Sequence, residues 1–206
     1  MLIKKRTGKG FLDSLQEKNS VKTIGVMGSC KGDGVTTLSI AMANYLAEIM
    51  SMKTAIVECS DTKAFEIMKD ALMDDCGCEI NYTIGKVTYY FGVSLNDFFA
   101  TYANDFEYVI VDFGSCFKEY AAHVGRLKYK LVLGSVMPYK SVYHQRLLEH
   151  MESTVLPEHC LHLLHGDEKN VKEYSSKLKI NALPAPMITN PYIIESKLAN
   201  FFQLLF

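Results

Sequence analysis

The stretch TIGVMGSCKGDGVTTLSIAMANYL, residues 23–46, limits what this chain can fold into more than any other. KTIGVMG at 22–28 reads as a buried strand, and glycines follow at 28, 32 and 34. From Thr36 to Met50, Leu38, Met42, Tyr45, Leu46 and Ile49 recur at helical spacing. Strand, glycine-rich turn and helix, in that order, form a cradle for an anion. The glycines let the backbone turn tightly and bring its N–H groups near the ligand. The helix starting near Val35 adds its dipole and its unsatisfied first-turn N–H groups. Against the phosphate-loop pattern G-x-x-x-x-G-K followed by Ser or Thr, Thr36 falls at the magnesium-binding hydroxyl, Ser29 replaces the first glycine and Val35 replaces the lysine. The plain alternative is a strand-to-helix turn that needs glycine. The added Gly-x-Gly-x-Thr-Thr order favours the anion cup, with Lys31, Gly32, Asp33, Gly34, Val35, Thr36 and Thr37 as its candidate residues.

Short apolar runs alternate with helical patterns along the rest of the chain. KTAIVEC at 53–59, FEYVIVDFG at 106–114, YKLVLGSV at 129–136 and CLHLLHG at 160–166 read as strands. EINYTIGKVTYYFG at 79–92 reads as a β-rich segment with a turn at Gly85-Lys86. Helices are expected over 62–73, 94–103 with Ser94 as N-cap, 117–127, 140–153 and 168–178, and an amphipathic segment over 193–206. This alternation predicts an α/β fold, doubly wound, with a mostly parallel central sheet of about seven strands and helices on both faces. Ligands of such sheets bind at the carboxyl ends of the strands. The expected organisation is a basic N-terminal arm over 1–20 and one domain over 21–206.

The composition is that of a globular protein, with 49% hydrophobic and 22% charged residues and a net charge of −1. That charge offers no strong field for nucleic acid, and no basic stripe or DNA-binding motif is evident, so direct nucleic-acid binding is not expected. The first 22 residues carry Lys4, Lys5, Arg6, Lys9, Lys18 and Lys22 against Asp13 and Glu17. This reads as a solvated arm, with contact to a membrane or an acidic partner as the alternative. No apolar run reaches the length of a membrane span or a signal-peptide core, which points to a cytoplasmic protein with reduced thiols.

GSCKGDGVTTLSIAMANYLAE resembles the deviant Walker A segment of the MinD/ParA class of P-loop ATPases, which reads K-G-G-x-G-K-T-T before a helix. FEYVIVDFGS resembles that family's Walker B strand, with Asp112 at its end, and KTAIVECSD its second strand. The resemblance covers about Val21 to Pro191. It implies ATP or ADP with Mg²⁺ as ligands, Thr36 and Asp112 at the metal, a homodimer, and a spatial role in division, partition or pilus and secretion localisation through an unidentified protein partner. Cys30 then stands at the signature-lysine position and Val35 at the P-loop lysine. Glu58 and Ser60 stand where the family has two aspartates, so Glu58 is the candidate water-positioning carboxylate. Lys31 is the candidate substitute cation. The pilus-localising TadZ or CpaE-like branch also departs from the lysine pattern. Loss of one charged stabiliser costs ~3 kcal/mol, or about a hundredfold or more in rate. Nucleotide binding with weak or absent hydrolysis is therefore expected. The alternatives are an active ATPase of this class and a nucleotide-free scaffold.

Three further features are ambiguous from sequence. His159, Cys160, His162 and His165, or Cys76 and Cys78, offer metal-ligating atoms, although a buried strand and a turn explain them more simply. The C-terminal Leu198, Phe201, Phe202, Leu205 and Phe206 share one helical face. With only Lys197 basic there, packing within the protein or in an oligomer is favoured over membrane binding. SVMPYKSVYHQR at 135–146 matches the region that lies near the adenine in the resembled family, but no single residue stands out.

Overall fold

Strands whose side chains are apolar on both faces can only lie inside a covered sheet. Val109, Ile110 and Val111 are each fully buried, as are Ala55, Ile56 and Val57. The computed structural model describes residues 21–72, 80–151 and 155–206. The expected basic arm over 1–20 and the Cys76/Cys78 pair lie outside these residues.

The strands are β1 (Lys22–Gly28), β2 (Thr54–Glu58), β3 (Asn81–Ile84), β4 (Val87–Tyr90), β5 (Tyr108–Asp112), β6 (Tyr129–Ser135), β7 (Leu161–His165) and β8 (Asn181–Pro184). They form one eight-stranded sheet in the order β3-β4-β2-β5-β1-β6-β7-β8. All pairings are parallel except the β3–β4 hairpin, which turns at Gly85 with φ 59°. The chain winds to one side of β1 and then to the other, so β1 lies at the point of reversal, where a crevice opens at the strands' carboxyl ends.

The helices are α1 (Val35–Asn44), α2 (Ala64–Leu72), α3 (Leu95–Thr101), α4 (Phe117–Arg126), α5 (Pro138–Met151), α6 (Glu168–Leu178) and α7 (Ser196–Gln203). Alternation along each strand divides the interior in two. Ile24, Val26, Ile56, Ile110, Leu131 and Leu163 pack with α1, Phe65 of α2 and Phe202 of α7. Met27, Val57, Val111 and Val132 pack with α3, α4 and α5 on the other face. The fold is thus α/β and doubly wound.

The eighth strand is the departure from the expected count. β8 is four residues long, only partly buried and ends in a proline, so it lacks a strand signature; a sheet edge tolerates that proline. The first helix ends as α at Asn44 and continues as a π-helical turn over Tyr45–Ile49. Ser94 caps α3 as expected, accepting from Asp97 N–H at 3.1 Å. At the C-terminus only Ser196–Gln203 is helical. Leu198, Phe202 and Leu205 are buried, and Tyr45 contacts Phe202 and Phe206 at ring-centroid distances of 5.2 and 6.2 Å. This apolar face is therefore spent on the protein's own core. No described helix is long and apolar enough to cross a membrane.

A buried polar chain links α5, α6 and β7. His162 Nε2 donates to the Pro157 carbonyl at 3.0 Å, which leaves Nδ1 to accept from His144 Nε2 at 3.1 Å. His144 Nδ1 then accepts from the Tyr174 hydroxyl at 3.1 Å. A Cβ on Gly134 would come within 2.6 Å of the His144 ring, so β6 needs glycine there. Burial, reinforced by His162, pushes His144 down to about 3, against a weaker opposing pull from Asp33. Burial lowers His162 to about 4.

Both rings stay neutral in the fold but take up protons near their ordinary value when unfolded. Their contribution to stability is complete above about pH 6.5 and is lost as pH falls toward 4. At pH 5 the loss is about 2 kcal/mol per histidine. Thermal melts between pH 7.5 and 5 should show a shallower fall for His162→Gln than for the unsubstituted protein; parallel curves would contradict this.

Candidate functional site

The loop between β1 and α1 opens at the reversal point of the sheet. Gly32 and Gly34 adopt left-handed φ angles of 86° and 87°, which side-chain-bearing residues rarely accept. Gly34 is the N-cap of α1 and brings no capping side chain, so the first-turn N–H groups point into the crevice without one. There is no acidic residue in that first turn. Gly28 fixes the start of the loop. Its N–H donates to the Gly114 carbonyl at 2.7 Å, and a Cβ there would meet Val35 Cγ2 at 2.7 Å.

Val35 therefore turns inward, 6% exposed, against the end of β1. At the lysine position the helix presents an N–H group and an apolar side chain directed into the core. Lys31 points outward with a 72% exposed side chain and pairs with Asp61 at 2.8 Å, which raises its pKa. Cys30 donates its thiol to Asp33 Oδ1 at 3.3 Å; partial burial and the Asp33 carboxylate hold that thiol above its ordinary pKa.

Asp112, at the carboxyl end of β5, faces the first turn of α1. It is fully buried. Oδ1 accepts from Gly114 N–H at 2.9 Å, while among the described residues Oδ2 makes no well-formed hydrogen bond, although the nearby Thr36 hydroxyl favours its charged form. Burial, with the Glu58 charge adding to it, pushes Asp112 up to about 6; the Thr36 hydroxyl and Gly114 N–H oppose the shift. A buried carboxylate with one oxygen short of a well-formed hydrogen bond beside a threonine hydroxyl is a donor set for a hard divalent cation. Thr36 and Asp112, the residues expected at Mg²⁺, are brought together.

Glu58 closes the neighbouring strand, 7% exposed. Oε1 accepts from Ser60 Oγ at 2.8 Å, Thr62 Oγ1 at 3.1 Å and Ala64 N–H at 2.7 Å, and Oε2 accepts from Phe65 N–H at 3.1 Å. These donors tie β2 to the N-terminus of α2, where a carboxylate also complements the helix dipole.

Long-range contacts around the loop, which the sequence does not pair, surround Asp33. Asp33 is 1% exposed, and its carboxylate accepts from Ser29 Oγ at 2.6 Å and Cys30 N–H at 2.9 Å. Lys140 of α5 lies 3.4 Å from Asp33 Oδ1, and His165 of β7 donates from Nε2 to the Asp33 carbonyl at 2.8 Å. Asp33, Gly34, Thr37, His165, Pro186 and Ile188 line a cavity of about 150 Å³ beside the helix N-terminus. A larger groove of about 800 Å³ lies between α5 and α6 near the amino ends of β7 and β8, away from this crevice. His162 is engaged with His144 and Pro157. Among the described residues no group of three or more His, Cys, Asp or Glu side chains is placed to hold a metal ion by itself.

No protein-family model matches the chain, and no curated protein matches its sequence. Solved structures do match in shape. A ParA family ATPase from Chlorobium tepidum is similar at TM-score 0.65 with 12% identity, over 90% of this chain and 99% of that one. The cell division ATPase MinD of Pyrococcus furiosus is similar at 0.63 with 11% identity, over 90% and 97%. A plasmid partition protein of Borrelia burgdorferi, bound to AMPPNP, is similar at 0.58 with 10% identity, over 90% and 97%. Sheet order, glycine loop and these likenesses agree: the chain has the MinD/ParA-like P-loop NTPase fold.

Proposed function

We propose that this protein binds ADP or ATP with Mg²⁺ in the β1–α1 loop and hydrolyses ATP weakly or not at all. In this reading it acts as a nucleotide-dependent spatial organiser that dimerises and recruits a partner protein, as in division, partition or the TadZ-like pilus branch. The observation that carries the reading is Asp112 Oδ2, buried and without a well-formed hydrogen bond, beside the Thr36 hydroxyl. An ordinary strand-to-helix turn has no reason to keep that cost. Thr36 and Asp112 would hold Mg²⁺, which would supply positive charge against the carboxylate and the phosphates. Amides of Gly32 to Thr37 would cradle the diphosphate. The AMPPNP in the Borrelia partition protein supports the same ligand class.

Weak turnover follows from two placements. Val35 is packed inward, so α1 supplies no cation to the transferring phosphoryl group. The Glu58 carboxylate is already engaged by four donors from Ser60, Thr62, Ala64 and Phe65, which hold it toward α2. A nucleotide-free scaffold is the second reading, favoured by the Asp33 carboxylate, which already takes the Cys30 N–H.

Calorimetric titration should show Mg²⁺-dependent binding of ADP and ATP, with phosphate release at least a hundredfold below that of a lysine-bearing relative. No binding at millimolar nucleotide would favour the scaffold. Asp112 supplies a second test. Its folded pKa is raised, so it costs stability as pH rises through about 6, on the order of 3 kcal/mol when fully ionised. Asp112→Asn should therefore raise the melting temperature of the nucleotide-free protein at pH 8 but not at pH 4, and abolish the Mg²⁺ dependence of binding. Lower stability at pH 8 would contradict the assignment. Glu58→Ala should cost about 1–2 kcal/mol in chemical denaturation through loss of the α2 cap; unchanged stability would contradict the anchoring role.

A further inference from the structure

The cation missing from α1 has a counterpart on another helix. Lys140, in the first turn of α5, places Nζ 3.4 Å from Asp33 Oδ1. Its side chain is 29% exposed, against 72% for Lys31, so water screens it less. The Asp33 side chain is fully enclosed. It cannot swing away without giving up Ser29 and Cys30, and His165 holds its backbone carbonyl in place. The loop thus carries an internal anion, one residue before the helix N-cap, in a cradle otherwise suited to phosphate. An ionised carboxylate there opposes an incoming phosphate by direct repulsion, and a lysine beside it cancels that field.

We infer that Asp33 and Lys140 form a charge gate on the loop: Asp33 repels phosphate, Lys140 neutralises Asp33, and together they set how much anionic charge the loop admits. The inference rests on the nucleotide-binding reading above and deepens it. A lysine at Val35 would give the cradle a net positive charge, whereas the Asp33–Lys140 pair is neutral. Compared with a lysine-bearing loop, the gate therefore gives the more charged ATP less advantage over ADP.

The test is calorimetry of the full chain with Mg²⁺·ADP and Mg²⁺·ATP across Asp33→Asn, Lys140→Met, the double variant and Lys140→Arg. Asn keeps the shape and the acceptor oxygen that Ser29 and Cys30 use. Asp33→Asn should tighten binding by about tenfold, more for ATP than for ADP, with the gain shrinking as salt is raised. Lys140→Met should weaken binding by a similar factor, Lys140→Arg should retain it, and the double variant should return near the starting affinity. Melts without nucleotide give an independent reading: Lys140→Met should lower the melting temperature more when Asp33 is present than when it is Asn. Equal affinities across all variants, or shifts of the same sign for Asp33→Asn and Lys140→Met, overturn the gate and leave the nucleotide site standing. Absence of binding in every variant overturns both, and equal melting shifts in the two backgrounds overturn the pairing itself.

Discussion

The central strand must hand its chain to a helix on the sheet face between Ser29 and Gly34, and that turn shapes what surrounds it. Only left-handed glycines make the turn so short, at positions 32 and 34. The result leaves a row of helix N–H groups facing the crevice where the winding of the sheet reverses. The carboxyl ends of β5 and β2 bring Asp112 and Glu58 to the same crevice, in register with each other and with β1. Parallel pairing fixes that register. The chemistry of the site is therefore a consequence of the sheet, and the side chains adjust it.

Those adjustments concern charge. In a buried crevice each ion needs a partner, and each acid here meets that need differently. Glu58 is satisfied by four donors and ties β2 to α2. Asp33 is satisfied within the loop and by Lys140. Asp112 alone keeps an oxygen without a well-formed hydrogen bond. Of the three, it is the one whose cost a bound cation would offset, and it faces the threonine hydroxyl. Val35 adds an apolar side chain packed beneath the end of β1. The backbone amides of the loop remain, and no cation of α1 stands beside them.

Much of this was legible in the sequence because it depends on local pattern. Fully apolar runs such as Val109 to Val111 declare buried parallel strands, Ser94 declares a helix start, and the glycine spacing declares the tight turn into α1. What escaped depends on distance. Lys140 and His165 reach Asp33 from positions 107 and 132 residues away, and nothing near them in the chain marks that meeting. Asp33 could be placed in the loop by position, but the inward turn of its carboxylate is a property of the fold. The histidines of CLHLLH offered metal-ligating atoms, and the structure pairs His162 of β7 with His144 on α5. β8 escaped because a short edge strand ending in proline carries little β signature. Residue types at fixed spacing show in a sequence; the partner that meets a buried charge across the sheet does not.

The central claim is that backbone amides from Gly32 to Thr37 bind a diphosphate with help from a cation at Asp112. Amide-resolved NMR of the labelled chain during titration with ADP and Mg²⁺ tests it most directly. The account predicts saturable shifts at Gly32, Gly34, Val35, Thr36 and Thr37 that require Mg²⁺ for full size. Shifts confined to the groove between α5 and α6, or none at millimolar nucleotide, would contradict it.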